Sequence, residues 1–178
     1  MMNSMNKVLD ELKETLGIFQ IQEIDDREVK IDIEPEKVVT ILSALKGMGY
    51  SHLALLTCVD WLKDGKFELV YILYSWNDGG KFIVSTRIDR EKPKFITVMH
   101  LWPTARFYER EIHEFFGIEF EGNNDMRSLI LENWDDLPPL RKDFDSLEYS
   151  KRKFPDRKYD KDVIQEALIF RGDENGRS

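Results

Sequence analysis

From His52 onward the chain passes through runs rich in Val, Ile, Tyr and Phe, punctuated by Asp64-Gly65 and Asp78-Gly79-Gly80. Turn-forming pairs between β-formers at this spacing predict a meander of three antiparallel strands. The flanking segments have the helical period that can cover such a sheet. Met5, Val8, Leu9, Leu12 and Leu16 share one helical face and stop at Gly17. Ile18 to Ile21 begins a strand, and Val29, Ile31 and Ile33 alternate with Lys30 and Asp32 after the Asp25-Asp26 turn, the period of a half-buried strand. Pro35 opens a second helix with Val38, Ile41, Leu42 and Leu45 on one side, and Gly47 and Gly49 mark its exit. Phe95, Val98, Met99 and Trp102 predict a short third helix halted by Pro103. The expected class is α+β: a small domain over residues 1–122 with an antiparallel or mixed sheet packed by helices, followed by an extended tail over 123–178.

The densest feature is the stretch from Phe107 to Gly122. On a helix Tyr108, Ile112, Phe115 and Phe116 form an apolar stripe, and Gly117 is placed to end the helix in the left-handed conformation. Arg110 and Glu114 then lie on the other side, one turn apart, where they are expected to pair. Phe107 projects near this charged side. A large aromatic among Glu109, Arg110, Glu111 and Glu114 points to a face that is covered.

The order Glu109-Arg110-Glu111-x-x-Glu114-x-Phe116-Gly117-Ile118-x-Phe120-x-Gly122 resembles the signature of the 30-kilodalton (NuoC-like) subunit family of respiratory complex I and its membrane-bound nickel–iron hydrogenase relatives. Downstream, Asp125-Met126-Arg127-Ser128-Leu129-Ile130-Leu131 resembles that family's Asp-Leu-Arg-Arg-Ile-Leu-Leu segment. Pro139-Leu140-Arg141-Lys142-Asp143-Phe144 resembles its Pro-Leu-Arg-Lys-Asp-Phe block. Three ordered blocks are far more specific than one short motif. The chain departs from the pattern at Gly122-Asn123-Asn124, where the family reads Gly-His-Pro.

Composition narrows the functional classes. A net charge of −8 argues against a general nucleic-acid binder, which needs a basic face to displace counterions. Charged residues reach 34%, a bias in the direction of thermophile surfaces. The single cysteine, Cys58, lies in an apolar run and reads as a buried thiol, and one thiolate cannot hold an iron–sulfur cluster. His52, His100 and His113 show no metal-ligand spacing, with His113 expected at the surface. Gly79-Gly80 belongs to no phosphate-loop pattern. No apolar run is long enough to cross a bilayer and the N-terminus has no signal-peptide core, so the expectation is a peripheral protein on the cytoplasmic face of a membrane. Asp60 and Trp61 close an apolar strand, where the carboxylate is expected to bond turn amides.

Beyond Gly122 the apolar period breaks down, yet Leu129, Ile130, Leu131, Trp134, Phe144, Tyr149, Phe154 and Tyr159 carry substantial apolar surface. A segment that orders on a partner accounts for both facts; the alternative is a tail folded back over its own sheet. Val163, Ile164, Ala167 and Leu168 predict a last short helix, with Arg171 to Ser178 frayed.

The resemblance implies a noncatalytic structural subunit in the peripheral arm of an ion-translocating, complex-I-like oxidoreductase. The short chain, its Glu-, Lys- and Arg-rich composition and Asn123 in place of histidine tilt the expectation toward the membrane-bound hydrogenase or sulfur-reductase type, with complex I proper as the alternative. The resemblance also implies a hydrogenase-like large subunit and a cluster-bearing small subunit as partners. The chain itself would carry no cofactor, with iron–sulfur clusters and nickel–iron chemistry in those partners. The expected partner-facing residues are Phe107, Glu109, Arg110, Glu111, Glu114, Arg127, Leu140, Arg141, Lys142, Asp143 and Phe144. Two rivals from other classes are a stand-alone acid–base enzyme using Glu109, Glu111 or Glu114 and a free adaptor that binds peptides on its sheet edge.

Overall fold

A computed structural model describes residues 4–16 and 20–155. The expected strand residues Ile18 and Phe19, the C-terminal helix and Tyr159 lie outside these. The chain divides into two compact units, Met1–Phe144 and Asp145–Ser178.

In the first unit, α1 (Ser4–Leu16) and the hairpin β1 (Gln20–Asp25) and β2 (Glu28–Asp32) precede α2 (Val38–Gly47). A single 3-10 turn at Pro35–Lys37 leads into α2, because proline fixes φ at a helix start and has no amide to leave unpaired. The meander follows as β3 (His52–Trp61), β4 (Lys66–Tyr74) and β5 (Lys81–Asp89). Gly65 closes the first of its turns at φ +62°, as Asp64-Gly65 predicts. The sheet order is β1-β2-β5-β4-β3. The pairing of β2 with β5 is parallel and the others antiparallel, so the sheet is mixed.

Alternation along the strands sorts the side chains onto two faces. Leu56, Phe67, Leu69, Tyr71, Leu73, Phe82 and Val84 are almost fully buried, with Val29 and Ile31 from β2. They join Leu9 and Leu12 of α1 and Val38, Ile41, Leu42 and Leu45 of α2 in one core. Each such side chain contributes on the order of 1.5–3 kcal/mol by leaving water. Cys58 is part of this core, and burial pushes its thiol pKa well up. The opposite face is half-open, with Leu55, Val59 and Trp61 each more than one-third exposed.

Residues 94–102 depart from expectation. Phe95 lies in the short strand β6 (Lys94–Ile96), which pairs in parallel with β7 (Glu119–Glu121), setting Phe95 opposite Phe120. The Thr97 amide donates to the Glu121 carbonyl, and the amides of Leu101 and Trp102 both donate to the Val98 carbonyl. The predicted third helix is therefore a strand and a tight turn. Phe95, Val98 and Trp102 are buried as a helical face would require, but the backbone of 94–96 is satisfied by pairing with a remote strand.

Next comes α3 (Ala105–Phe116), ended by Gly117 at φ +80° whose amide returns to the His113 carbonyl. It packs against β3 and β4, bringing the Phe116 ring edge-on to Phe67 at 6.0 Å. Residues 123–144 then cross the outside of α3 and return to the sheet end, within the first unit. In the second unit, α4 (Ser146–Lys153) is capped by Asp145, whose carboxylate accepts from the Leu147 and Glu148 amides.

Candidate functional site

The signature residues of α3 mostly point at their own chain. Ala105, Glu109, Ile112 and Phe116 are its buried positions, a 4-3-4 spacing that sets Glu109 in the middle of the apolar stripe. Its side chain is wholly enclosed. One carboxylate oxygen accepts from the Val98 amide at 2.8 Å; the other accepts from the Thr97 hydroxyl at 2.7 Å and the Asn123 side-chain amide at 2.9 Å. Burial raises the Glu109 pKa above the usual carboxylate range, and the three donors hold that rise in check. Glu109 therefore ties the turn after β6, α3 and the turn after β7 together. The expectation that it faces a partner is corrected: a carboxylate with no exposed surface reaches neither partner nor substrate.

Arg110 and Glu114 do not turn to each other. The Arg110 guanidinium donates to the carbonyls of Arg127 (3.0 and 2.9 Å) and Ser128 (2.9 Å). The Glu114 carboxylate accepts from the amides of Leu129 (3.2 Å), Ile130 (2.9 Å) and Leu131 (2.7 Å). One turn of helix thus grips five consecutive residues by their backbone, cation on carbonyls and anion on amides. The expected pairing of the two fails because an extended segment lies over them and offers better-oriented partners.

The Pro-Leu-Arg-Lys-Asp-Phe block is fastened by a second network. Asp60 at the end of β3 is buried and takes a two-pronged contact from Arg90 (2.8 and 3.1 Å) and the Lys142 amide at 2.8 Å. Arg90 also reaches Asp143 at 2.6 Å, and Arg141 meets Asp143 at 3.3 Å. Burial works to raise the Asp60 pKa, but the Arg90 contacts and the Lys142 amide prevail and hold it below its ordinary value. Asp143 is likewise held low, first by Arg90. Asp60 therefore anchors a remote block where turn amides were expected. The Leu140 amide donates to the Phe115 carbonyl, and the Phe144 ring lies 5.4 Å from that of Trp134.

Of the expected partner-facing residues, Phe107, Glu111, Arg127 and Leu140 remain at the surface, with Phe107 stacked under Arg106 at 4.4 Å and Arg127 paired to Asp125 at 2.7 Å. The Lys142 side chain is also exposed, 5.8 Å from the Trp61 ring. His113 is half-buried against the Ile118 carbonyl. Asp60, Arg90, Thr97 and Asn123 complete the clamps without having been singled out as partners for these residues. A charged residue at a core position of α3 was the available signal for the Glu109 cluster; nothing local marked Arg90.

The mixed sheet, α3 and the strap it clasps lie largely within one recognisable stretch of sequence. The model for "Respiratory-chain NADH dehydrogenase, 30 Kd subunit" matches residues 31–150. The chain belongs to that family. It is 33% identical over 159 residues to the mitochondrial NADH-ubiquinone oxidoreductase 30.4 kDa subunit of Neurospora crassa, covering 85% of this chain and 55% of that protein. The chain thus spans about half the length of this relative. Among solved structures, a chain of the archaeal membrane-bound sulfane sulfur reductase superposes with a TM-score of 0.74 at 33% identity, covering 88% of this chain and 93% of that one. A trypsin-resistant fragment of Nqo5 gives 0.59 at 30% identity, over 68% of this chain and 98% of the fragment.

Proposed function

We propose that this chain is a noncatalytic structural subunit of a complex-I-like, membrane-bound respiratory oxidoreductase. The observation that carries this reading is the family match over residues 31–150, which contains both clamps and the strap they hold. The chain sits in the peripheral arm on the cytoplasmic face, docks on a hydrogenase-like large subunit beside a cluster-bearing small subunit, and steadies that pair while electrons move through cofactors they carry. It holds no cofactor itself. No helix among the described residues is long and apolar enough to cross a membrane, in keeping with attachment through partners.

The carboxylates argue for scaffold over catalyst. Glu109 is sealed from solvent, Glu114 is saturated by backbone amides, and Glu111 lies on an exposed helix surface that forms no enclosed site. The likeness to the sulfane reductase chain over most of both lengths favours the hydrogenase or sulfur-reductase type, coupled to ion translocation. Membership in complex I proper is the second reading, favoured by the Neurospora relative.

The test is purification of the tagged full chain from its own membranes in mild detergent. Recovery with a hydrogenase-like large subunit, a cluster-bearing small subunit and membrane-spanning partners supports the reading, and the remaining subunits identify donor and acceptor. Recovery alone, from the soluble fraction, sinks it.

A further inference from the structure

The strap over residues 125–144 has an inner side and an outer side with opposite chemistry. Inside, its backbone is held by polar groups: Arg110 on two carbonyls, Glu114 on three amides, the Phe115 carbonyl on the Leu140 amide, and Asp60 on the Lys142 amide. Outside, Ile130 is 59% exposed and Leu140 55%, with Leu137 and Leu129 also open to solvent. These side chains add nothing to the clamps and stay open to solvent on a segment whose backbone is fixed from the inner side.

The unpaired charge beside them is mainly acidic. Glu111 and Glu132 are exposed and, among the described residues, make no ion pair, whereas Arg127 is paired with Asp125 and Arg106 lies on the Phe107 ring; Lys142, beside Leu140, is the one exposed cation of the strap without an ion pair and rests near the Trp61 ring. An anionic ligand is disfavoured by that rim. A strand adding to the segment would find three consecutive amides already taken by Glu114. A second copy would set acid against acid on a chain of net charge −8.

We propose that the outer side of the strap is a preformed docking surface for a neighbouring subunit whose contact surface is apolar at its centre and basic at its rim. Ile130 and Leu140 are its anchors. Arg110 and Glu114 are positioning residues that fix the strap before the partner arrives, which removes much of the ordering cost of association. This rests on the subunit reading above.

The experiment uses purified full-length chain and the remainder of the complex, prepared from cells that lack this subunit. Ile130→Asp with Leu140→Asp is expected to weaken association at least about ten-fold. Glu111→Lys with Glu132→Lys weakens it several-fold, most at low salt. Glu23→Lys with Glu36→Lys, the same charge change elsewhere on the surface, leaves association as in wild type. All three pairs keep the wild-type unfolding midpoint. Arg110→Ala speeds amide exchange at 127–131 and weakens association, and Arg110→Lys recovers part of both. Wild-type association that none of the strap variants alters overturns this proposal alone. Wild-type chain that fails to associate overturns the subunit reading, and this proposal with it.

Discussion

The carboxylate of Glu109 and the side-chain amide of Asn123 meet at 2.9 Å inside the first unit, joining the middle of α3 to the turn that follows β7. The same asparagine accepts the Asp125 amide through its side-chain oxygen at 3.2 Å, so it sets the direction in which the strap leaves the body. Asparagine supplies a donor to the buried carboxylate and an acceptor to the turn, and the residue is only 7% exposed.

Asn123→Ala removes one of three donors from an enclosed carboxylate and is expected to lower stability by about 1–3 kcal/mol. Glu109→Gln should cost a similar amount, because its amide group must face at least one group that can only donate. Both losses read out as a lower urea midpoint of the full chain with an unchanged slope. Variants that unfold at the wild-type midpoint would remove Glu109 from the list of structural clamps.

Acid should separate the two buried carboxylate sites by sign. Asp60 has a folded pKa below its unfolded value, so its contribution is present above about pH 4 and is lost as pH falls through the folded value. Glu109 has a raised folded pKa, so its contribution is fully present below about pH 4 and is lost as pH rises through that value. The stability gap between wild type and Asp60→Asn should therefore shrink on acidification. The gap between wild type and Glu109→Gln should grow. Denaturant titrations from pH 3 to pH 8 check both slopes.

Glu114 predicts a local effect. Replacing it by alanine returns three amides of a largely exposed segment to water, so the global midpoint should move by less than about 1 kcal/mol while Leu129, Ile130 and Leu131 exchange about ten-fold faster or more. Exchange no faster than wild type at those three amides would show that the strap is held by something else.

Short-range signals made most of the framework readable before the structure was known. Alternation and turn residues gave the meander, and Gly117 marked the end of α3. The parallel pairing of β2 with β5 lies in no local pattern, because the two strands are joined through α2 and two further strands. Phe95, Val98 and Trp102 mimic a helical stripe because β6 and the turn after it happen to bury residues at that spacing. The site was half legible. The three sequence blocks marked the right residues, but the charges on α3 read as facing outward because the strap that covers them has no periodicity of its own. Asp60 and Arg90, 30 residues apart, join through the fold of the sheet end alone.

Gly122 carries the sharpest steric test. Its φ is +94°, a conformation that costs an L side chain on the order of 1–3 kcal/mol, and an added Cβ would come within 2.8 Å of the Thr97 Cγ2 methyl. Thr97 cannot swing away cheaply, because it is β-branched and its hydroxyl is committed to Glu109. Gly122→Ala should therefore be among the most destabilising single changes outside the core, exceeding Gly117→Ala, whose Cβ would meet the Pro138 ring at a less severe 3.2 Å. Thr97→Ser removes the offending methyl and keeps the hydroxyl. In the double variant it should restore about 1 kcal/mol of the loss, leaving the backbone strain behind. Strict additivity of the two changes would mean that the methyl contact contributes nothing and that strain at φ +94° accounts for the whole effect.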